Sequence, residues 1–275
     1  MPDAVVWAGL VLMGACVGAY GTLIGAGGGF VLVPVLLLLY PGDSTELVTS
    51  ISLAVVFFNA ASGTVAYARQ MRIDYLAANV FAAATVPGAV AGAFAISLVP
   101  RRLFDVVFAL LLLLAAAFLE LRPRGRVSQR RHRRGEVTRQ ITDVQGDTYV
   151  YSYSLRTGVA LSVLVGFVAS LLGVGGGIIH VPVMVQLLHF PAHLATATSH
   201  YVLTVTSLTA TLVHVSAGDL DGGYARTAAL AVGVLAGAQV GARLSLRLGA
   251  TAIVRLLALA LVAVAARLLL AAAGV

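Results

Sequence analysis

Two short glycine clusters carry the chemistry this sequence offers. Residues 25–34 read Gly-Ala-Gly-Gly-Gly-Phe-Val-Leu-Val-Pro, and residues 173–182 read Gly-Val-Gly-Gly-Gly-Ile-Ile-His-Val-Pro. Gly25, Gly27, Gly28, Gly29, Val33 and Pro34 match Gly173, Gly175, Gly176, Gly177, Val181 and Pro182 at an offset of 148. A glycine inside a helix costs about 1 kcal/mol relative to alanine, so three in succession break one. Proline is tolerated in a helix's first turn, where its missing N–H is not needed. Each cluster is therefore predicted to open the N-terminus of a short helix. Such an end carries about half a positive charge and unpaired N–H donors. It holds an anion without a basic side chain, and glycine lets the anion approach the main chain. Gly27, Gly28, Gly29, Gly175, Gly176 and Gly177 are the predicted contacts for a small anionic substrate. The competing use of these glycines is close helix packing.

Polar side chains within apolar runs come next, because each is costly in lipid unless it faces protein or water. Thr49, Ser50 and Ser52 open the run after the first cluster, and Thr198, Ser199 and His200 open its counterpart. Asn59 lies further along the first of these runs. A serine or threonine can instead bond back to its own helix. The recurrence of Thr49-Ser50 as Thr198-Ser199 marks those four as substrate-binding candidates together with Asn59. His180 directly follows the second cluster, where the first half has Leu32. His180 and His200 complete the candidate site, since imidazole titrates near neutrality and can relay protons.

The elements that must position these residues are membrane helices. Of 275 residues, 60% are hydrophobic and 11% charged, with a mean hydropathy of +0.97. A soluble domain carries about 25% charged residues, so this chain cannot coat a water-soluble globule of its size. Apolar runs fall at about 4–24, 30–40, 47–68, 75–98, 103–121, 155–173, 178–188, 194–217, 225–246 and 251–273. Eight approach the roughly 20 residues that span a bilayer. The two that follow the glycines are too short and read as half-helices. Trp7, Tyr40, Tyr67, Tyr75 and Tyr224 lie near run ends, as in an interfacial aromatic belt or in ordinary packing.

The net charge of +7 is local. All basic residues are arginine, and nine lie between Arg122 and Arg156 against Glu136, Asp143 and Asp147. That pattern fits a loop held on the cytoplasmic side and argues against nucleic-acid binding. Within the loop, Tyr149, Tyr151 and Tyr153 alternate beyond Gly146-Asp147, a hairpin signal. The predicted organisation is a transmembrane repeat over 1–121, a basic linker over 122–154 and a second repeat over 155–275. Asp3, in place of a basic leader, argues against a cleavable signal. The fold class is an all-α polytopic membrane protein with a two-fold internal repeat. Each half has a glycine-broken or re-entrant helix pair plus three transmembrane helices. With loop 122–156 inside, the positive-inside rule selects an inverted repeat, although Arg101 and Arg102 then fall outside. Two parallel sets of four spans are the alternative.

The doubled Gly-x-Gly-Gly-Gly-x4-Pro motif and the Thr-Ser that follows each copy resemble the TauE/SafE sulfite-exporter family, also called TSUP. The resemblance covers nearly the whole chain apart from 122–154. It implies secondary transport of small anions, chiefly sulfite-like sulfur oxoanions, or of organosulfonates and carboxylates, across the cell membrane. Neither motif contains cysteine, which argues against a thiol relay for thiosulfate. The chain has no Gly-x4-Gly-Lys-Ser/Thr and no lysine at all, so no nucleotide site is expected. A gradient of protons, sodium or the anion itself must drive transport, and no cofactor or metal is expected. A passive anion channel is the second class. An intramembrane enzyme is the third, and it lacks Gly-x-Ser-x-Gly, His-Glu-x-x-His and any span with paired carboxylates.

Overall fold

The computed structural model describes residues 2–121 and 136–249 and part of 251–266. The Arg122–Arg134 run and the end of the chain lie outside the described residues. The first half comprises α1 (Pro2–Ile24), α2 (Gly29–Leu39), α3 (Thr45–Arg69), α4 (Tyr75–Ala95) with a short 3-10 turn after it, and α5 (Arg101–Leu121). A β-hairpin of β1 (Val137–Thr142) and β2 (Thr148–Tyr153) leads to α6 (Leu155–Leu171), α7 (Gly177–Gln186), α8 (Ala192–Ala217) and α9 (Tyr224–Ser245). Further helical residues follow within 251–266. Side-chain caps start three of these helices. Ser44 accepts from the Leu47 amide, Asp74 from Leu76 and Ala77, and Ser154 from Thr157, each satisfying donors that a helix start leaves open. Apolar side chains cover the outside as well as fill the core, and some polar ones are buried among them. Val5, Leu98, Leu114 and Leu259 are more than two-thirds exposed, while Thr22, Asn59, Ser170 and His200 are fully buried. Among the described residues, Ala4–Ile24, Thr45–Arg69, Tyr75–Leu98 and Tyr224–Ser245 are long and apolar enough to cross a membrane. Eight such runs were expected. Helix α6 has only 17 residues, and α8 is long but studded with threonine, serine and histidine.

Glycine steps zip helices of the two halves together. A β-carbon at Gly14, Gly233, Gly237 or Gly241 would lie 2.4, 2.0, 2.2 or 2.1 Å from the carbonyl oxygens of Leu230, Val11, Ala15 and Ala19. Helix α1 therefore lies backbone to backbone against α9, and residue numbers rise together, so the two run parallel. Helices α4 and α6 repeat the arrangement, with Gly88, Gly92 and Gly166 against the carbonyls of Val163, Phe167 and Thr85. Helix α3 runs along α9 in the same direction, through Ser62 Oγ to the Leu235 carbonyl and Gln70 Nε2 to that of Ala242, both at 2.8 Å. Helix α8 likewise follows α4, through Thr206 to Thr85 at 2.8 Å and Thr198 to the Asp74 amide at 3.1 Å. Between α3 and α8 the order reverses. Leu53 clusters with Ala210, Val56 and Ala60 with Leu203, and Ala66 with Ala197. One parallel trio, α1, α3 and α9, thus meets an oppositely directed trio, α4, α6 and α8. Each trio draws on both halves of the sequence.

The linker's second part folds as the tyrosine alternation predicted. Strands β1 and β2 pair antiparallel from Val137↔Tyr153 to Thr142↔Thr148. The hairpin docks on the α3–α4 turn. Arg72 Nε and Nη2 donate to Asp143 Oδ2 at 3.0 and 2.8 Å, with both side chains buried. Tyr151 donates to Asp74 Oδ2 at 2.7 Å. Tyr151 and Tyr153 pack on Phe190 at ring separations of 4.6 and 4.8 Å.

Candidate functional site

The chain reverses at both glycine clusters. Gly25, Gly27 and Gly28 have φ of 81°, 76° and 84°, and Gly173, Gly175 and Gly176 have 71°, 75° and 95°. Side-chain-bearing residues rarely adopt these values. A β-carbon at Gly28 would lie 2.9 Å from the Val17 carbonyl oxygen, and one at Gly176 3.1 Å from the Ala169 β-carbon. Each half-helix therefore folds back along the helix before it, as a hairpin rather than a bend. Helix α2 starts at Gly29 and α7 at Gly177, with no side-chain cap. At 1.5 Å per residue, their 11 and 10 residues reach about 15 Å, half a bilayer core. Pro34 and Pro182 sit in the second turn of these helices, not the first.

The two hairpin tips touch. A β-carbon at Gly29 would be 2.8 Å from the Gly173 carbonyl oxygen, and one at Gly177 2.4 Å from that of Gly25. All of 25–29 and 173–177 are buried. Among the described residues, no acceptor pairs with the amides of Gly28, Gly29, Phe30, Gly175, Gly176, Gly177 or Ile178. These are the open donors of two helix starts, converging in the protein interior.

The tip carbonyls are held by the opposing polar helices. Asn59 Nδ2 donates to the Gly27 carbonyl at 2.9 Å and Ser199 Oγ to Gly25 at 3.3 Å. Ser52 Oγ donates to Gly173 at 2.7 Å. Thr49 is fully buried against Gly173, and its hydroxyl has no partner among the described residues. Val56 and Leu203 close the space between the tips. Val56 methyls lie over Gly27, Gly29 and Gly175, and Leu203 lies over Gly27. A separate cleft of about 460 Å³, lined in part by Asp43, Glu46 and Arg101, lies at the end where α3 starts.

The structure brings the six glycines, Thr49, Ser199 and Asn59 together and sets the other candidates apart. Ser50 bonds back to the Glu46 carbonyl at 2.7 Å, and Thr198 accepts from the Asp74 amide. His180 is buried one turn into α7, with Nε2 3.3 Å from Ser162 Oγ and its ring against Phe81. His200 stands behind Thr22 rather than at a tip, with Nε2 3.3 Å from Thr22 Oγ1. Ser52, not Ser50 or Thr198, reaches a glycine turn through its hydroxyl, while Val56 and Leu203 pack against the turns with apolar atoms. Thr22 drew no reading from the sequence, and Tyr67 was read only as belt or packing. Thr22 Oγ1 donates to Asn59 Oδ1 at 3.1 Å, and Tyr67 donates to the Thr22 carbonyl at 2.7 Å. Tyr67, 1% exposed, is interior packing and no part of an interfacial belt.

Comparison with known proteins agrees over the same span. The model of a family described as sulfite exporter TauE/SafE matches residues 10–268. The probable membrane transporter protein YunE of Bacillus subtilis is 33% identical over 242 residues, covering 86% of this chain and 87% of that protein. The probable membrane transporter protein MJ0441 of Methanocaldococcus jannaschii is 24% identical over 204 residues, covering 72% and 68%. No solved structure matches.

Proposed function

Because this chain belongs to the sulfite exporter TauE/SafE family and is a multi-pass membrane transporter, we propose that it is a secondary carrier of small anions. The substrate is a sulfite-like sulfur oxoanion, an organosulfonate or a small carboxylate. It binds between the two glycine turns. The observation that carries this reading is the convergence of two buried half-helix starts whose amides have no acceptor among the described residues. Thr49, Ser199 and Asn59 add or orient donors beside them. Val56 and Leu203 occupy the gap, so this conformation is closed and the anion enters when they withdraw.

The helix directions support an inverted repeat over 1–121 and 155–275. Hairpin contacts and the antiparallel α3–α8 crossing fit an axis in the membrane plane, with hairpins entering from opposite faces. The charges agree. Arg69, Arg72, Arg243 and Arg247 lie at the β-hairpin's end of the bundle, the cytoplasmic one. At the far end, Arg226 is paired with Asp43, and Arg101 faces Asp105 at 3.8 Å. Access alternates between the faces as the two helix trios shift against each other in the cell membrane. The test is exchange of radiolabelled sulfite, sulfate, thiosulfate, sulfoacetate and small carboxylates in proteoliposomes. Saturable counterflow of at least one anion is expected, and its loss in Gly28→Val or Gly176→Val protein that still inserts and folds. Wild-type rates in those variants, or flux without saturation or counterflow, would remove the glycine site or the carrier.

A further inference from the structure

Resting on that anion site, we propose that His200 is the coupling site for a proton carried together with the anion. Hydrogen counting leads there. Imidazole Nδ1 lies 3.3 Å from the Thr196 carbonyl oxygen, which can only accept, so Nδ1 carries a hydrogen. Nε2 lies 3.3 Å from Thr22 Oγ1. Thr22 has one hydroxyl hydrogen, and it points to Asn59 Oδ1. The Asn59 amide cannot be turned round, because its nitrogen donates to the Gly27 carbonyl. A neutral His200 therefore leaves Nε2 as a bare acceptor facing a hydroxyl already committed elsewhere. A second proton completes the chain. Nε2–H donates to Thr22, Thr22 to Asn59, and Asn59 to the glycine turn.

A buried imidazolium needs a countercharge. The groups facing His200 are Thr22 from α1, Gly63 and Tyr67 from α3, and Thr196 from its own helix. Tyr67 is the one titratable group among them, and its hydroxyl is engaged with the Thr22 carbonyl. No carboxylate faces the ring among the described residues. The missing charge is the substrate's own, held at the turn to which His200 is linked by three hydrogen bonds. Anion and proton then raise each other's affinity by the same factor. On one face a hydronium O–H bond breaks as Nε2–H forms, on the other Nε2–H breaks and the proton returns to water, and no other covalent bond changes.

Radiolabelled sulfite in proteoliposomes tests this with two readouts: counterflow at equal pH, and steady-state accumulation under an imposed pH difference. For wild-type protein, with the membrane potential clamped at zero and total sulfite corrected for bisulfite formation on each side, accumulation is expected to rise about tenfold per pH unit over protein-free vesicles, the value for one proton per anion. In His200→Gln, whatever its counterflow rate, accumulation is expected to fall to the equal-pH level. Thr22→Val, which cuts the chain between His200 and Asn59, is expected to do the same, and it decides the matter if His200→Gln does not fold. Counterflow without pH-driven accumulation in wild type would overturn the coupling alone. So would wild-type accumulation in either variant. Absence of sulfite counterflow in wild type would overturn the anion site and this inference with it.

Discussion

Gly177→Ala probes the contact between the hairpin tips directly. Gly177 begins α7 with a helical backbone, so alanine suffers no conformational strain there and gains about 1 kcal/mol of helix propensity. Its β-carbon, however, would lie 2.4 Å from the Gly25 carbonyl oxygen and 2.8 Å from Ala26 Cα. A relaxed carbon–oxygen contact is about 3.3 Å, so the tips must part by about 1 Å. Overpacking of this kind costs about 1–3 kcal/mol. Set against the propensity gain, that leaves roughly 0–2 kcal/mol of net loss, and a melting point a few degrees lower. The variant should fold. An anion bridging the tips would lose at least one hydrogen bond to a charged group, worth about 1.5–3 kcal/mol, or roughly 10- to 150-fold in affinity. The control is Gly176→Ala. There φ is 95° and the nearest atom is 3.1 Å away, so the cost is about 1–2 kcal/mol of left-handed strain without a comparable wedge. The assay is half-saturation of sulfite counterflow, read beside thermal unfolding in detergent. A Gly177→Ala protein with wild-type half-saturation and melting point would refute the reasoning, because the anion could not then span the tips.

Other perturbations separate the site from its surroundings. Val56→Ala removes methyls lying over Gly27, Gly29 and Gly175, and should shift selectivity in a counterflow competition from sulfite toward sulfoacetate; an unchanged ratio would mean that Val56 does not bound the site. Burial pushes the Asp143 carboxyl up, but the Arg72 guanidinium and the amides of Gln145 and Asp147 outweigh it and hold the group below the usual carboxylate range. A depressed folded value stabilises above the ordinary pKa of about 3.9 and is lost as pH falls through the lower one, so hydrogen-exchange protection factors in the β-hairpin, corrected for the intrinsic pH dependence of exchange, should be steady from about pH 5 to 8 and fall only below about pH 4. Arg72→Ala leaves Asp143 buried and unpaired, a loss of about 3–5 kcal/mol, and should open the hairpin to trypsin at Arg139 at neutral pH. Arg→Gln changes across 124–134 should leave half-saturation for sulfite within about twofold, whereas a large loss would relocate the site to the loop.

Most of the architecture was legible because glycine and apolarity report directly on backbone and solvent. The helix limits fall within a few residues of the apolar runs, and the doubled glycines mark both reversals. Gly88/Gly92 and Gly237/Gly241 recur in the sequence at an offset of 149, but nothing local marks them as the steps that join α4 to α6 and α1 to α9. That pairing depends on contacts between distant segments. The polar residues were harder to read. Matching Thr49-Ser50 to Thr198-Ser199 used an offset of 149, yet the residues packed on the opposing turns are Thr49 with Ser52 and Thr196 with Ser199. A helix turned by two residues presents another face, so Thr198 points at Asp74 and Ser50 at its own helix. Thr22, one turn before the glycines, and Tyr67, at a run's end, carried no local sign of the bonds they make.

The interlacing of α1 with α9 and of α4 with α6 has a consequence for how the molecule is made. The first 121 residues emerge from the ribosome with the partners of α1 and α4 still unsynthesised, so their glycine-stepped flanks face lipid until the second half arrives. Each half lacks helix partners that the other supplies, so a chain cut in the arginine-rich linker is expected to fold only when both fragments are made together, each completing the other.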